Sequence, residues 1–425
     1  MKIISDPKKT EWGVLLKRPV FDSRSLESVV APVLQEVKQR GDSALLEFTE
    51  RFDKVKLTDI LVNAEEIQAA ANLLSEDLKT AILQAKQNIH AFHTRQLQLP
   101  EKIETMPGIA CWRKSIGIER VGLYIPGGSA PLFSTVLMLG IPATIAGCKE
   151  IILTTPPNKE GKIHPAILFA AQQAGITRIF KVGGAQAIAA MAYGTESMPA
   201  VFKIFGPGNQ YVTCAKQLVQ RDGVAIDMPA GPSEVCVLAD ETANPDYIAA
   251  DLLSQAEHGP DSQVVLITTS NNLAAEVLKA IKEQTLVLPR KQIVEGALQN
   301  SRAIVVKDLD DAIAIVNAYA PEHLIISCSN DESIAERITN AGSVFLGNHS
   351  PESAGDYASG TNHTLPTNGY ANAYSGVSVD SFVKKITFQK LTPSGLAGIA
   401  STIINMAEAE GLDAHANAVR VRLVT

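Results

Sequence analysis

The sequence predicts an α/β protein in which two parallel-sheet units lie side by side, preceded by a helical region and followed by a helical tail. Three observations carry that prediction. Short apolar runs bounded by glycine or proline alternate with helical stretches, as expected of strands covered on both faces by crossover helices. The alternation begins near Arg120 and starts again after Gly231-Pro-Ser, which describes two units of similar size with a cleft between them. With 425 residues, 46% hydrophobic and only 5% aromatic, the chain exceeds a single core while keeping a globular composition.

Residues 25–40, 43–52 and 64–96 place apolar side chains at helical spacing, and Gly41-Asp-Ser is a stop-and-recap signal between the first two. Region 1–119 is therefore expected to be a helical scaffold partly packed on the core. In 120–232 the strands are expected at 121–125, 150–155, 178–182 and 201–205, with helices at 166–174 and 185–191. In 233–380 they are expected at 234–239, 263–268, 303–306 and 324–327, separated by helices at 245–255, 273–284 and 309–318. Region 381–425 reads as a tail with a helix at 396–410 and a polar end at 411–417.

A net charge of -7 with no long basic run argues against a nucleic-acid partner. The five cysteines are scattered without a CxxC pair, which suits free thiols in a reducing, cytoplasmic setting. Residues 124–148 carry no charged side chain, but glycines and prolines punctuate them. A buried loop, helix and strand is expected there, not a membrane span. The N-terminus has no apolar signal-peptide core.

The stretch Gln255-Ala-Glu-His258 sets an amide and an imidazole about one helical turn apart, before a Gly-Pro break. That is half a metal site, since zinc takes four ligands. Asp356, His349 and His363, in the polar segment 347–363, are all candidates for the other half. Three Gly-rich turns follow expected strands, at Tyr124-Ile-Pro-Gly-Gly, Gly183-Gly-Ala-Gln186 and Gly206-Pro-Gly-Asn209. Together they favour a nucleotide site, although none matches G-x-G-x-x-G. Glu322-His323 pairs a carboxylate with an imidazole able to take a proton from an alcohol. His90 and His93 on an amphipathic helix, and Cys148 before a strand, read as ordinary packed or solvated groups.

These segments together resemble the histidinol dehydrogenase family, over nearly the whole chain from about residue 20. The most specific stretches begin at Val121, Ile226, Gln255, Ala320 and Asp356. The resemblance implies paired, incomplete Rossmann-like (aldehyde-dehydrogenase-like) three-layer domains. It also implies an NAD-linked homodimer, with one Zn2+ per subunit, that oxidises L-histidinol to L-histidine through histidinaldehyde. By the resemblance, Gln255, His258, Asp356 and His415 hold zinc, while Tyr124, Gln186 and Asn209 contact NAD. Ser233 and Glu410 contact substrate, as do the metal ligands and His323. Glu410 and His415 would come from the tail of the neighbouring subunit.

On that reading His323 takes the hydroxyl proton of histidinol and Glu322 draws a proton from the water that attacks the aldehyde. Zinc is expected to orient the substrate instead of generating hydroxide. The domains would divide as NAD-binding (120–232), catalytic and metal-bearing (233–380) and dimerising (381–425). His349 would stand at most behind the ligands. A zinc-dependent hydrolase could use the same His and Asp residues, but it has no need of three Gly-rich turns. A metal- or nucleotide-responsive binding protein would leave Glu322-His323 incidental.

Overall fold

The computed structural model describes residues 1–19, 23–127 and 131–423. In chain order its strands are β1 (Lys2–Ser5), β2 (Lys102–Met106), β3 (Ile109–Gly117), β4 (Arg120–Tyr124), β5 (Glu150–Thr155), β6 (Arg178–Lys181) and β7 (Lys203–Phe205). They continue with β8 (Ala225–Ile226), β9 (Glu234–Ala239), β10 (Gln263–Thr268), β11 (Arg302–Val305), β12 (His323–Ser327), β13 (Ser343–Leu346) and β14 (Val383–Leu391). Two units result, one of residues 1–95 with 118–382, the other of residues 96–117 with 383–425.

The first unit contains two wholly parallel sheets. One runs β6-β5-β4-β7-β8. Its strands are continuous apolar runs, and Leu123, Leu153, Phe180 and Phe205 are fully buried because helices cover both faces. On one face, Ser23–Arg40 and Asp42–Phe48 pack with Gly184–Tyr193 around Phe180 and Ile152. On the other, Glu76–Thr94 and Phe133–Ile145 pack around Leu123, Leu153 and Phe205. The N-terminal helices thus complete the first core. The second sheet runs β1-β11-β10-β9-β12-β13, and its faces are closed by separate apolar clusters.

Each strand expected in 120–380 forms, within a residue or two of its expected ends. Two expectations need correction. Region 1–119 is not purely helical: β1 pairs in parallel with β11, from Lys2 opposite Arg302 to Ser5 opposite Val305, and β2 and β3 form a hairpin. Region 381–425 is not purely helical either, because β14 runs antiparallel to β3. Phe388 stands opposite Trp112 and their rings stack 5.4 Å apart, a cross-strand aromatic pair. The lysines at 384, 385 and 390 mask the alternation of Ile386 and Phe388, and the partner strand lies far away in sequence. In this second unit, helices Pro393–Ala409 and Asp413–Leu423 follow β14, so the segment read as a polar end begins a helix.

Residues 128–130, part of the first Gly-rich turn, lie outside the described residues. Among the described residues no helix is long and apolar enough to cross a membrane.

Candidate active site

The carboxyl ends of β4, β7 and β8 face the amino ends of β9 and β12, and a cavity of about 380 Å³ opens between them. Gly206 to Asn209 line it from the first sheet; Ser233, Glu322 and His323 line it from the second. The helix Leu309–Tyr319 ends on Ala320, which takes the left-handed conformation at φ 48°. A non-glycine residue held there is strained, and it turns Glu322 and His323 into the cavity.

His323 opens β12 and is 3% exposed. Its Nδ1 lies 3.0 Å from the Gln255 amide nitrogen and 3.2 Å from the Glu234 carbonyl. Among the described residues its Nε2 is buried without a hydrogen-bond partner, 3.5 Å from Asp356 Oδ1. Glu322 Oε2 accepts the Glu234 N–H at 2.8 Å. Burial pushes the Glu322 carboxyl up to about 8. Burial would lower the imidazole of His323, but the carboxylates of Glu352, Glu322 and Asp356 outweigh it and raise it to about 10. Burial would likewise raise Asp356, yet His323, then His363 and His258, hold it below the usual carboxylate value.

Gln255 stands in the last turn of the helix Pro245–Ala256, 1% exposed. Its Nε2 donates to the Glu234 carbonyl at 3.1 Å and approaches Glu322 Oε2 at 3.4 Å. Two acceptors on that side fix the amide orientation, and among the described residues Oε1 is left buried with no partner. His258 follows just past the helix end, at the exposed side of the cavity. His363 lines it too, its Nδ1 2.9 Å from the Asp356 carbonyl and its Nε2 3.1 Å from Thr135 Oγ1.

Glu352 completes the cluster. It is 1% exposed, its Oε2 has no partner among the described residues, and burial lifts its carboxyl to about 8. Ligand atoms of His323, Glu352 and Asp356 lie within 4.8 Å of one another. Three buried or half-buried carboxylates around one imidazole, with an orphaned amide oxygen beside them, form an N/O donor set short of positive charge. A divalent cation fits that set.

A second pocket, of about 760 Å³, lies at the carboxyl ends of the first sheet. Tyr124, Gln186 and Asn209 line it, with Val30, Phe52 and Pro156 among its apolar walls. The Tyr124 hydroxyl accepts the Gly184 N–H at 3.2 Å, and burial pushes the phenol up to about 12. Asn209 caps the helix Gln210–Arg221 by accepting the Tyr211 and Val212 N–H groups at 3.0 and 3.1 Å. Asn209 lines both cavities, which connects the nucleotide-sized pocket to the His323 side. The turn before it depends on Gly206, at φ 125°, where a Cβ would sit 2.0 Å from the Tyr124 carbonyl oxygen. Lys216 and Asp227, an almost fully buried ion pair, clamp the same turn: Lys216 donates to the Gly206 carbonyl at 2.9 Å and Asp227 accepts its N–H at 2.8 Å.

A histidinol dehydrogenase family model matches residues 16–423. The chain belongs to the histidinol dehydrogenase family. It is 62% identical over 425 residues to the histidinol dehydrogenase of Bacteroides thetaiotaomicron, covering 100% of this chain and 99% of that one. The Yersinia pestis histidinol dehydrogenase is 55% identical over 412 residues, 96% of this chain and 92% of its own. The crystal structure of histidinol dehydrogenase from Elizabethkingia anophelis matches with a TM-score of 0.98 at 57% identity, over 100% of this chain and 98% of that one. As a member of the histidinol dehydrogenase family, the chain is an oxidoreductase of histidine biosynthesis.

Of the residues that the sequence offers as candidates, Ser233, Gln255, His258, Glu322, His323 and Asp356 line one cavity, and Tyr124, Gln186 and Asn209 the other. Glu410, at the end of the helix Pro393–Ala409, and His415, in the helix Asp413–Leu423, belong to the second unit, where both are exposed. His349 is exposed beside the Tyr247 ring and lines neither cavity. His93 is a fully buried core residue and Cys148 is half-buried with its thiol pushed up to about 11 by burial. Glu352 was overlooked in the sequence. Its signal was its spacing, four residues before Asp356, which on the short helix Glu352–Tyr357 puts both carboxylates on one face.

Proposed function

We propose that this chain oxidises L-histidinol to L-histidine in two successive dehydrogenations, with NAD and one zinc ion per subunit. The observation that carries the proposal is His323 Nε2, which among the described residues is buried without a hydrogen-bond partner at the wall of a cavity that shares Asn209 with a nucleotide-sized pocket.

Gln255 through its orphaned Oε1, His258, Asp356 and His415 from the tail of a second copy would hold the metal. Bound there, zinc supplies an attachment point for the substrate's imidazole and amino nitrogens and a positive charge that offsets the surrounding carboxylates. With that charge offset, His323 falls back from about 10 toward the range in which its Nε2 accepts a hydroxyl proton. NAD, held by Tyr124, Gln186 and Asn209, supplies the hydride acceptor for both oxidations. Glu322, joined to His323 through the Gln255 amide, takes the proton of the water that adds to the aldehyde. Ser233 and Glu410 orient the substrate. Clamped by these residues, the aldehyde stays bound between the two oxidations.

This reading assigns NAD binding to residues 120–232, catalysis to 233–380 and dimerisation to 381–425. The second unit supports a homodimer, because it exposes Leu99 at 93% and Met406 at 60% and carries a groove walled by Trp112 and Phe388. Five free cysteines favour a reducing, cytoplasmic location.

The test is purified protein supplied with histidinol and NAD, followed by NADH absorbance. Two NADH per histidinol is the expected result. One NADH would indicate a simple alcohol dehydrogenase, and none would sink the assignment.

A further inference from the structure

The pocket that holds Tyr124, Gln186 and Asn209 contains a carboxylate to which no role has been given. Asp53 lines it, and among the described residues Asp53 Oδ2 is buried with no hydrogen-bond partner. A desolvated carboxylate oxygen without a donor costs stability. Such an oxygen is an acceptor held ready for a ligand.

Local structure aims it. The helix Asp42–Phe48 runs into a π-helical turn, Thr49–Asp53, a geometry that recurs at functional sites. Lys54 then takes the left-handed conformation at φ 61° and ends the turn. Phe52 stacks on Phe48 at 5.5 Å with the rings 7° from parallel, and this anchors the turn while Phe52 and Asp53 both line the pocket. Burial lifts the Asp53 carboxyl only to about 6, so it stays largely ionised near neutral pH. Its charge reaches across to Tyr124, adding to the rise of that phenol. Lys159 also lines the pocket but is exposed, so water screens its charge, whereas the Asp53 oxygen is shut off from water.

We propose that Asp53 is the ribose-binding and cofactor-discriminating carboxylate of this pocket. Its Oδ2 accepts a hydroxyl of the nucleotide ribose, and its charge turns away a ribose that carries a phosphate. An ionised carboxylate is an acceptor only, which matches the two donors of a ribose diol and opposes a phosphate dianion. The proposal rests on the reading of this pocket as the NAD site, and it makes the chain selective for NAD over NADP.

Steady-state kinetics with NAD and with NADP test it on the full-length protein and on Asp53→Asn and Asn209→Ala. Asp53→Asn is expected to raise the KM for NAD ~10–100-fold, the loss of a hydrogen bond to a charged group. It should also narrow the NAD-over-NADP ratio of kcat/KM by at least ~10-fold. Asp53→Ser gives the same readout should Asp53→Asn fail to fold. If Asn209→Ala raises the KM for NAD while the Asp53 variants leave both KM and preference unchanged, the pocket stands and the role of Asp53 is overturned. If no variant moves the KM for NAD, the pocket is not the NAD site and both fall together.

Discussion

Replacing Arg18 by alanine removes the cation that holds the start of β9 in place. Its Nε donates to Glu234 Oε1 at 2.6 Å and its Nη2 to Oε2 at 2.8 Å. Nη2 also reaches the Tyr319 carbonyl at 2.6 Å, and the guanidinium lies 4.0 Å over the Tyr319 ring. Glu234 is 2% exposed, so without Arg18 its charge is stranded in the interior. Breaking one side of a buried pair costs about 3–5 kcal/mol, and that is the expected loss for Arg18→Ala. The damage should extend to the cavity, because the Glu234 backbone donates to Glu322 and accepts from Gln255. Arg18→Lys should recover only part of it, since an ammonium cannot match the forked geometry. A double-mutant cycle decides the cause. Arg18→Ala/Glu234→Gln should unfold in urea at a higher concentration than Arg18→Ala alone, because the stranded charge is gone. If the double variant is no more stable than the single one, or Arg18→Ala costs less than ~1 kcal/mol, the buried-pair argument is refuted.

Three further outcomes are expected. Gly206→Ala should lose more than ~2 kcal/mol of stability and weaken NAD binding, since φ is 125° and the new Cβ would sit 2.0 Å from the Tyr124 carbonyl; an unchanged melting temperature would contradict it. His93 is 0% exposed and burial holds its imidazole below the ordinary 6.5. The unfolded chain therefore takes the proton first, and stability present above pH 6.5 is lost as pH falls below it, by at most about 1.4 kcal/mol per pH unit. His93→Gln should flatten that acid loss in melting curves at pH 7 and 5, and parallel curves would show that other groups cause it. His323→Ala should lower kcat ~10²–10⁴-fold while metal analysis finds the zinc retained; lost zinc would instead make His323, with Glu352 and Asp356, part of the metal site.

Much of the site was legible because its chemistry is local in sequence. The Gly-rich turns mark strand ends whether or not their partners are known, and the Gln255/His258 spacing needs only a helix. Glu322-His323 is a contiguous pair at a strand start. Glu352 was hidden because nothing local reveals a carboxylate's burial: its orphaned oxygen exists only once β12 brings His323 beside the helix Glu352–Tyr357. Asp53 was hidden for the same reason. β14 escaped because strand pairing is a long-range property, and its lysines gave a helical tail equal standing.

By itself, then, the sequence determined the alternation of strands and helices in 120–380, the two-sheet class and the residue types available for chemistry. These follow from hydrophobic period and turn residues, which act over a few neighbours. Only the tertiary structure decided that the carboxyl ends of one sheet face the amino ends of the other, that Asn209 borders both cavities, and that Gln255 Oε1, Asp53 Oδ2 and Glu352 Oε2 lack partners among the described residues. Desolvation and proximity set those properties, and both depend on segments far apart in the chain being packed together.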